Sequence, residues 1–289
     1  MADTTYQPRR GLIFMPGTQP EMFAKALKVG ADIVCIDLED AIAPNHKDEA
    51  RAKTLALFAE RPATPGVEPI VRINSPRTAD GLADLLAIIE NEAPPPALML
   101  PKVKSPDEVL LIDELLGGPH GAIRFHVIIE TNEGLKACHE IATASDRIDS
   151  LLFGGVDMAA DLRVEPTWDA LLYARSKVVH AAAGASLDVI DVPFLDLDDM
   201  AGLETEAAAA AALGMTGKGA IHPKQIPVIN RHFTPDAEAI ARARRIIAAF
   251  EDGDSGLVVI DNKLIEKPVL RSMYRVVAIA ERIGERPAV

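Results

Sequence analysis

The chain has 289 residues, 48% of them hydrophobic, which suits a barrel domain of about 250 residues with an extension. A formal net charge of -13 argues against a nucleic-acid partner, since phosphate-backbone binders carry a basic footprint. The two cysteines, Cys35 and Cys138, exclude a disulfide framework and a CxxC zinc site; with a polar start, no apolar signal core and no apolar run near the ~20 residues of a membrane span, a reducing cytoplasm and no membrane partner are expected.

In chain order, short apolar runs at 11–15, 33–38, 69–73, 97–100, 125–129, 150–153, 187–192 and 218–221 read as strands. Their continuous apolar character suits strands covered on both faces, as in a parallel sheet. Between them, amphipathic stretches at 20–29, 48–60, 81–91, 106–116, 167–183 and 199–213 read as helices. The alternation predicts an α/β fold, a (β/α)8 TIM barrel over residues 1–234, with a doubly wound sheet as the rival. The pattern then changes to a helix at 236–250, a turn-rich loop at 251–256, a hairpin at 257–266 and a helix at 268–283. This C-terminal helix–hairpin–helix extension, residues 235–289, exceeds what a barrel needs and is expected to pack on its own barrel or on a neighbouring subunit.

Barrel enzymes carry their chemistry at the C-terminal ends of the strands. Here those ends bring Asp37, Glu39 and Asp40, then Arg72 and Asn74, Lys102, Glu130, Asp157, Asp188 and Asp191, and His222. Glu130 and Asp157 end consecutive strands, so a barrel makes them neighbours. Two hard oxygen donors with open positions suit Mg²⁺, against the simpler roles of helix cap or salt bridge. Asp37, Glu39 and Asp40 would hold the metal's waters and orient its ligands, although Asp40 also fits a helix cap. Arg72, inside an apolar strand, needs a partner; it serves as a fork for a carboxylate or a developing oxyanion, as an ion pair with the Asp37–Asp40 cluster, or as both. Lys102 fits a Schiff-base lysine or a rim ion pair, and the metal pair makes the first redundant. His222 reads as a loop residue lining a ligand or ordering backbone, and the GGPHG stretch from Gly117 as a turn.

Together these residues resemble the CitE-like branch of the HpcH/HpaI aldolase and citrate lyase β-subunit superfamily. The motifs are RRGLIFMPG from Arg9, DLED from Asp37, VRIN from Val71, PK at Pro101, IET from Ile129, FGGVD from Phe153 and GKGAIHP from Gly217. They stand in family order across nearly the whole chain. The resemblance implies Mg²⁺ on Glu130 and Asp157, substrate contacts from Arg72 and Glu130, and backbone amides near Val156 and Asp157 for a substrate carboxylate. It implies that Ile221 and His222 line a CoA thioester, that Arg9, Arg10 and Lys25 are candidates for CoA phosphates, and that the subunits form a homotrimer or a dimer of trimers.

Family members complete the site with an acid from the tail of an adjacent subunit, usually Asp in a Gly-x-(Met/Leu)-(Ile/Val)-Asp pattern. The matching stretch here is NKLIE, which ends on Glu266 and has Asn262 for the glycine. Malyl-CoA lyases also carry a longer segment between strands six and seven, so this chain looks more like the short CitE-like enzymes, citramalyl-CoA lyases among them. The implied activity is a Mg²⁺-dependent carbon–carbon lyase acting on citramalyl-CoA or malyl-CoA, giving acetyl-CoA and pyruvate or glyoxylate, with Arg72 and Glu266 catalytic. The rivals are a thioesterase on the same site, a citrate lyase β-subunit acting on a carrier-bound thioester, and a sensor that binds CoA or an oxo acid without catalysis.

Overall fold

The computed structural model describes residues 7–60, 62–251, 257–260 and 263–284. Contacts divide the chain into a unit of residues 9–230 and a second unit comprising the chain from Arg231 onward with the residues before Arg9.

In the first unit, β1 (Gly11–Pro16) leads through a 3-10 turn, Pro20–Met22, into α1 (Phe23–Ala26). There follow β2 (Ile33–Asp37), α2 (Lys47–Ala59), β3 (Glu68–Arg72), α3 (Ala79–Ile89), β4 (Ala97–Leu100) and α4 (Pro106–Leu115). Then come β5 (Arg124–Ile129), the short helices α5 (Asn132–Lys136) and α6 (Cys138–Ala142), β6 (Ile148–Phe153), α7 (Gly155–Leu162) and α8 (Trp168–Ala185). β7 (Asp188–Asp191), α9 (Met200–Leu213) and β8 (Gly217–Ala220) follow, and α10 (Ile226–Phe233) begins in this unit and ends in the second.

The eight strands form a closed parallel barrel in sequential order, with β8 returning to β1 through Leu12 opposite Gly219. This is the (β/α)8 architecture expected, and the doubly wound rival falls away because the sheet has no open edge. Local chemistry sets the helix starts. Thr78, Thr131 and Asp199 accept from the N–H groups of Gly81, Gly134 and Gly202 at 3.1, 3.0 and 2.8 Å, each satisfying an orphan donor of the first turn.

Side chains alternate along a strand, so residues two apart share a face. One buried cluster takes residues from seven strands, including Leu12, Cys35, Ile70, Met99, Ile128, Leu152 and Ile190. The residues two further along are Phe14, Asp37, Arg72, Pro101, Glu130, Gly154 and Val192. The same alternation that fills the barrel interior therefore sends polar groups of β2, β3 and β5 to its C-terminal mouth. The opposite strand faces, with Ile13, Val34, Ile36, Leu98, Val127 and Leu151, are buried as well, which is why the strands read as unbroken apolar runs.

In the second unit, α11 (Ala237–Glu251) packs on α12 (Leu270–Gly284), and the Tyr274 hydroxyl donates to Glu251 at 3.1 Å. Between them β9 (Leu257–Ile260) and β10 (Lys263–Glu266) form an antiparallel hairpin, with Glu266 opposite Leu257 and Leu264 opposite Val259. The loop at 252–256 and Asn262 lie outside the described residues.

Candidate active site

A cavity of 350 Å³ opens at the C-terminal ends of the strands. One side is charged, with Asp37, Asp40, Arg72, Glu130 and Asp157; the other is apolar, with Phe14, Ile128, Leu152, Val192, Leu195 and Ile221.

Asp37 and Arg72 stand directly opposite each other in the β2–β3 register. Arg72 donates through Nε and Nη2 to the two oxygens of Asp37 at 2.8 and 2.6 Å, a bidentate fork. Its Nη1 lies 3.1 Å from Glu39 Oε2 and 3.6 Å from Asp40 Oδ2, and its guanidinium stands 5.2 Å from the centre of the Phe14 ring. The expected ion pair is present, and Arg72 lines the cavity. Burial opposes the Arg72 charge, but Asp37 and Glu39 outweigh it and raise the guanidinium above its usual range.

Glu130 follows β5 and is 3% exposed. Its Oε1 accepts the Lys102 N–H at 2.7 Å. Gly154 supplies the room: a Cβ there would stand 2.5 Å from Glu130 Cβ and 2.6 Å from Oε2. Burial, followed by repulsion from Glu39 and Asp157, pushes the Glu130 carboxyl up to about 8. Glu39 is raised as well, chiefly by burial, and its buried Oε2 makes no hydrogen bond.

Five carboxylates, Asp37, Glu39, Asp40, Glu130 and Asp157, thus share the rim with two cations, Arg72 and Lys102. A buried, crowded carboxyl and a carboxylate oxygen held by an ion pair without a hydrogen bond are chemistry that a divalent cation satisfies. The donors are all oxygen and Asp157 is 41% exposed, so it has room for a shared ligand. These residues fit Mg²⁺, which takes few protein ligands and keeps positions for water and substrate.

Val156 and Asp157 lie in the first turn of α7, and both line the cavity. The first N–H groups of a helix have no carbonyl within it to bond, and with the helix dipole they favour an anion. This is where the substrate carboxylate was expected.

Ile221 lines the cavity, but His222 does not. The His222 ring accepts the Lys224 N–H at 3.1 Å and caps the turn Pro223–Gln225. The amides of Ile221 and His222 are both taken by Gln225 Oε1, at 2.9 and 3.2 Å, while Gln225 Nε2 donates to the Phe194 carbonyl at 2.7 Å. Of the two readings given for His222, ligand-lining or backbone-ordering, its ring here takes the second. Gln225, which the sequence reading passed over, is the residue that orders this loop.

Arg9 and Arg10 need a correction. They precede β1, at the end of the barrel opposite the cavity. Arg9 pairs with Glu68, Asp149 and Asp188 at 2.7, 2.9 and 3.2 Å, and Arg10 with Asp32 at 2.9 Å. They are paired with carboxylates of the N-terminal face and are not free for CoA phosphates. Lys25 is exposed in α1. Among the described residues, the group of three with metal-like spacing is Glu68, His126 and Asp149, with ligand atoms within 4.8 Å of one another. The Arg9 guanidinium already bonds both carboxylates of that group. Asp191, also expected at the rim, is fully buried between Arg175 and Lys218, at 2.9 and 2.7 Å. Lys47, also unforeseen, donates to the Leu38 and Glu39 carbonyls at 2.8 and 2.6 Å and to Asn74 Oδ1 at 2.7 Å, fixing the loop that presents Glu39. Glu266 is exposed at the end of β10, in the other unit.

Residues 10–223 match the family model described as HpcH/HpaI aldolase/citrate lyase. The chain belongs to this family. Among its HpcH/HpaI relatives, mitochondrial citramalyl-CoA lyase of Homo sapiens is 33% identical, over 97% of this chain and 88% of its own length. L-malyl-CoA/beta-methylmalyl-CoA lyase of Cereibacter sphaeroides is 32% identical, over 96% of each. Among solved structures, CitE from Mycobacterium tuberculosis in complex with magnesium, acetoacetate and coenzyme A is 32% identical, with a TM-score of 0.77, over 96% of this chain and 99% of that one. No helix among the described residues is long and apolar enough to cross a membrane.

Proposed function

We propose that the chain is a Mg²⁺-dependent carbon–carbon lyase that cleaves or forms a 3-hydroxyacyl-CoA thioester, with citramalyl-CoA as its substrate. The single observation that carries the reading is the crowded acid rim: Glu130 and Asp157 at the mouth of a barrel whose carboxylates outnumber its cations. The named activities of the relatives, and the magnesium and coenzyme A of the related CitE complex, support it.

Glu130 and Asp157 would hold the metal, which supplies Lewis-acid polarisation of the 2-oxo group and charge neutralisation. The N–H groups at the start of α7 receive the substrate carboxylate. Arg72, fixed by Asp37, presents its Nη1 edge to the oxygen that changes between hydroxyl and carbonyl, and offsets charge there. In cleavage the hydroxyl proton passes to water at the cavity mouth, the bond between carbinol carbon and thioester α-carbon breaks as the carbonyl forms, and its electron pair stays on the α-carbon. Glu266 delivers a proton to that carbon, completing acetyl-CoA; in condensation it takes the same proton from the acetyl methyl. The apolar half of the cavity, with Ile128, Leu152 and Val192, supports a methyl-bearing oxo acid, pyruvate, over glyoxylate or a second carboxylate.

Glu266 acts in this scheme from a neighbouring copy in a homotrimer or a pair of trimers. In support, Glu266 shares one hairpin face with Leu257, Val259 and Leu264, which are 48, 67 and 63% exposed. The buried free thiols of Cys35 and Cys138 support a reducing compartment such as the cytoplasm. The test is substitution at the metal ligands. Glu130→Gln and Asp157→Ala are each expected to lower turnover of citramalyl-CoA at least about 100-fold and to remove the rise in Tm that Mg²⁺ gives the parent protein. Near-normal turnover in either variant would sink the proposal.

A further inference from the structure

Lys102 follows β4 with a left-handed backbone, φ 55°. Two other non-glycine residues among those described have positive φ, Arg163 and Ser186, and both close helices, where that conformation is ordinary. Lys102 closes a strand, so its conformation is imposed by what it holds. The twist aims two groups of one residue at two sides of the acid rim. Its N–H donates to Glu130 Oε1 at 2.7 Å. Its ammonium donates to Glu39 Oε1 at 2.6 Å and Asp40 Oδ1 at 3.3 Å, and stands 4.0 Å from Asp157 Oδ1. Engaged by these carboxylates, the amine is placed as a counter-ion and not as a Schiff-base nucleophile.

We propose that Lys102 is a built-in counter-ion that sets two affinities of the rim in opposite senses. Its fixed positive charge weakens the grip of Glu130 and Asp157 on a divalent cation and strengthens the grip of the cavity on an anionic 2-oxo acid. The inference rests on the lyase reading of this site.

The argument is one of charge balance. Arg72 is committed to Asp37 through both of its forked N–H groups, so it offsets that carboxylate first. Lys102 is then the cation that faces Glu39, Asp40 and Asp157 together. Without it the rim attracts a cation more strongly and repels a substrate carboxylate more strongly. With it Glu130 and Asp157 would hold a cation less tightly, and the cavity would hold an anionic oxo acid more tightly. Lys102 is a positioning residue in this scheme, since it acts through the carboxylates.

Substitution separates the charge from the backbone. Lys102→Met keeps a side chain of similar length and the same N–H. Lys102→Gly also removes the ammonium, and glycine adopts positive φ without strain. Mn²⁺ binding to the substrate-free protein, followed by electron paramagnetic resonance of the free ion, reads the first affinity. Calorimetric titration of the Mn²⁺-loaded protein with pyruvate reads the second. Both variants are expected to bind Mn²⁺ about tenfold more tightly and pyruvate about tenfold more weakly. Glu39→Gln is expected to loosen Mn²⁺, and Lys102→Met with Glu39→Gln to return it towards the parent value. Lys102→Met or Lys102→Gly protein that keeps the parent Tm but binds Mn²⁺ no better overturns the proposal; should one variant fail to fold, the other decides. A parent protein that binds Mn²⁺ yet cleaves no thioester overturns the lyase reading alone and leaves the Mn²⁺ comparison to judge Lys102. One that binds no Mn²⁺ overturns both.

Discussion

Glu130 owes its position to a residue that has no side chain. The Cβ of an alanine at Gly154 would meet Glu130 at 2.5 Å, closer than real Cβ contacts come, and Ile128 at 2.9 Å. Gly154→Ala is therefore expected to turn Glu130 out of line and cut turnover about 100-fold or more, while circular dichroism still reports a folded barrel. Unchanged kcat would show that Glu130 needs no such room. The same carboxyl gives a pH signature. Its ordinary value is 4.5 and in the folded protein it stands at about 8, so the folded state holds the proton more tightly than the unfolded state does. Metal-free protein must then lose stability as pH rises from about 4.5 to about 8, with no further loss from this group above that. A divalent cation needs the carboxylate, so the rise in Tm given by Mg²⁺ should be small at pH 5.5 and grow up to about pH 8. A Tm rise independent of pH would contradict this assignment.

Among the elements, the strands were legible in the sequence and the short helices were not. Each predicted strand lies within two residues of its observed ends, because burial on both faces leaves an unbroken apolar run. The helices α5, α6 and α7 have 5, 5 and 8 residues, too few turns for a 3.6-residue period to register. The stretch at 20–29 was expected as one helix, yet it holds a 3-10 turn and the four residues of α1. The site was legible where strand ends carry it: Asp37, Arg72, Glu130 and Asp157 converge as their spacing foretold. It was not legible where backbone geometry decides. No local pattern announces the positive φ of Lys102, nor that Gln225 takes the amides that a free His222 loop would offer. That last difference can be measured. Gln225→Ala leaves two N–H groups and a carbonyl without their partner and should cost about 1–3 kcal/mol and raise KM for the thioester. His222→Ala removes an exposed cap, should cost about 0.5–1 kcal/mol, and should leave KM near the parent value. The reverse order would restore His222 as a ligand residue.

At the scale of the whole molecule, the two ends of the barrel solve opposite electrostatic problems. At the N-terminal end Arg9 draws three carboxylates together. Burial alone would raise Glu68, but His126 and Arg9 hold it well below the usual carboxylate range. At the C-terminal end Glu130 is raised instead, first by burial and then by repulsion from Glu39 and Asp157. At one end Asp32, Glu68, Asp149 and Asp188 each have a cationic partner from the chain itself; at the other the carboxylates surround a cavity. The division of labour between copies has its own test. Mixing Asp157→Ala with Glu266→Gln protein should regain measurable turnover if the two residues meet across a subunit contact, since some sites then carry both intact groups. Mixtures as inactive as either variant would argue that both residues serve the same chain.

The most direct measurement is the fate of citramalyl-CoA with purified protein, in Mg²⁺ and in excess chelator. Acetyl-CoA and pyruvate in equal amounts, lost on chelation and restored by added Mg²⁺, are the expected products. Free CoA with intact citramalate would show that water attacks the thioester instead and would contradict carbon–carbon cleavage at this rim.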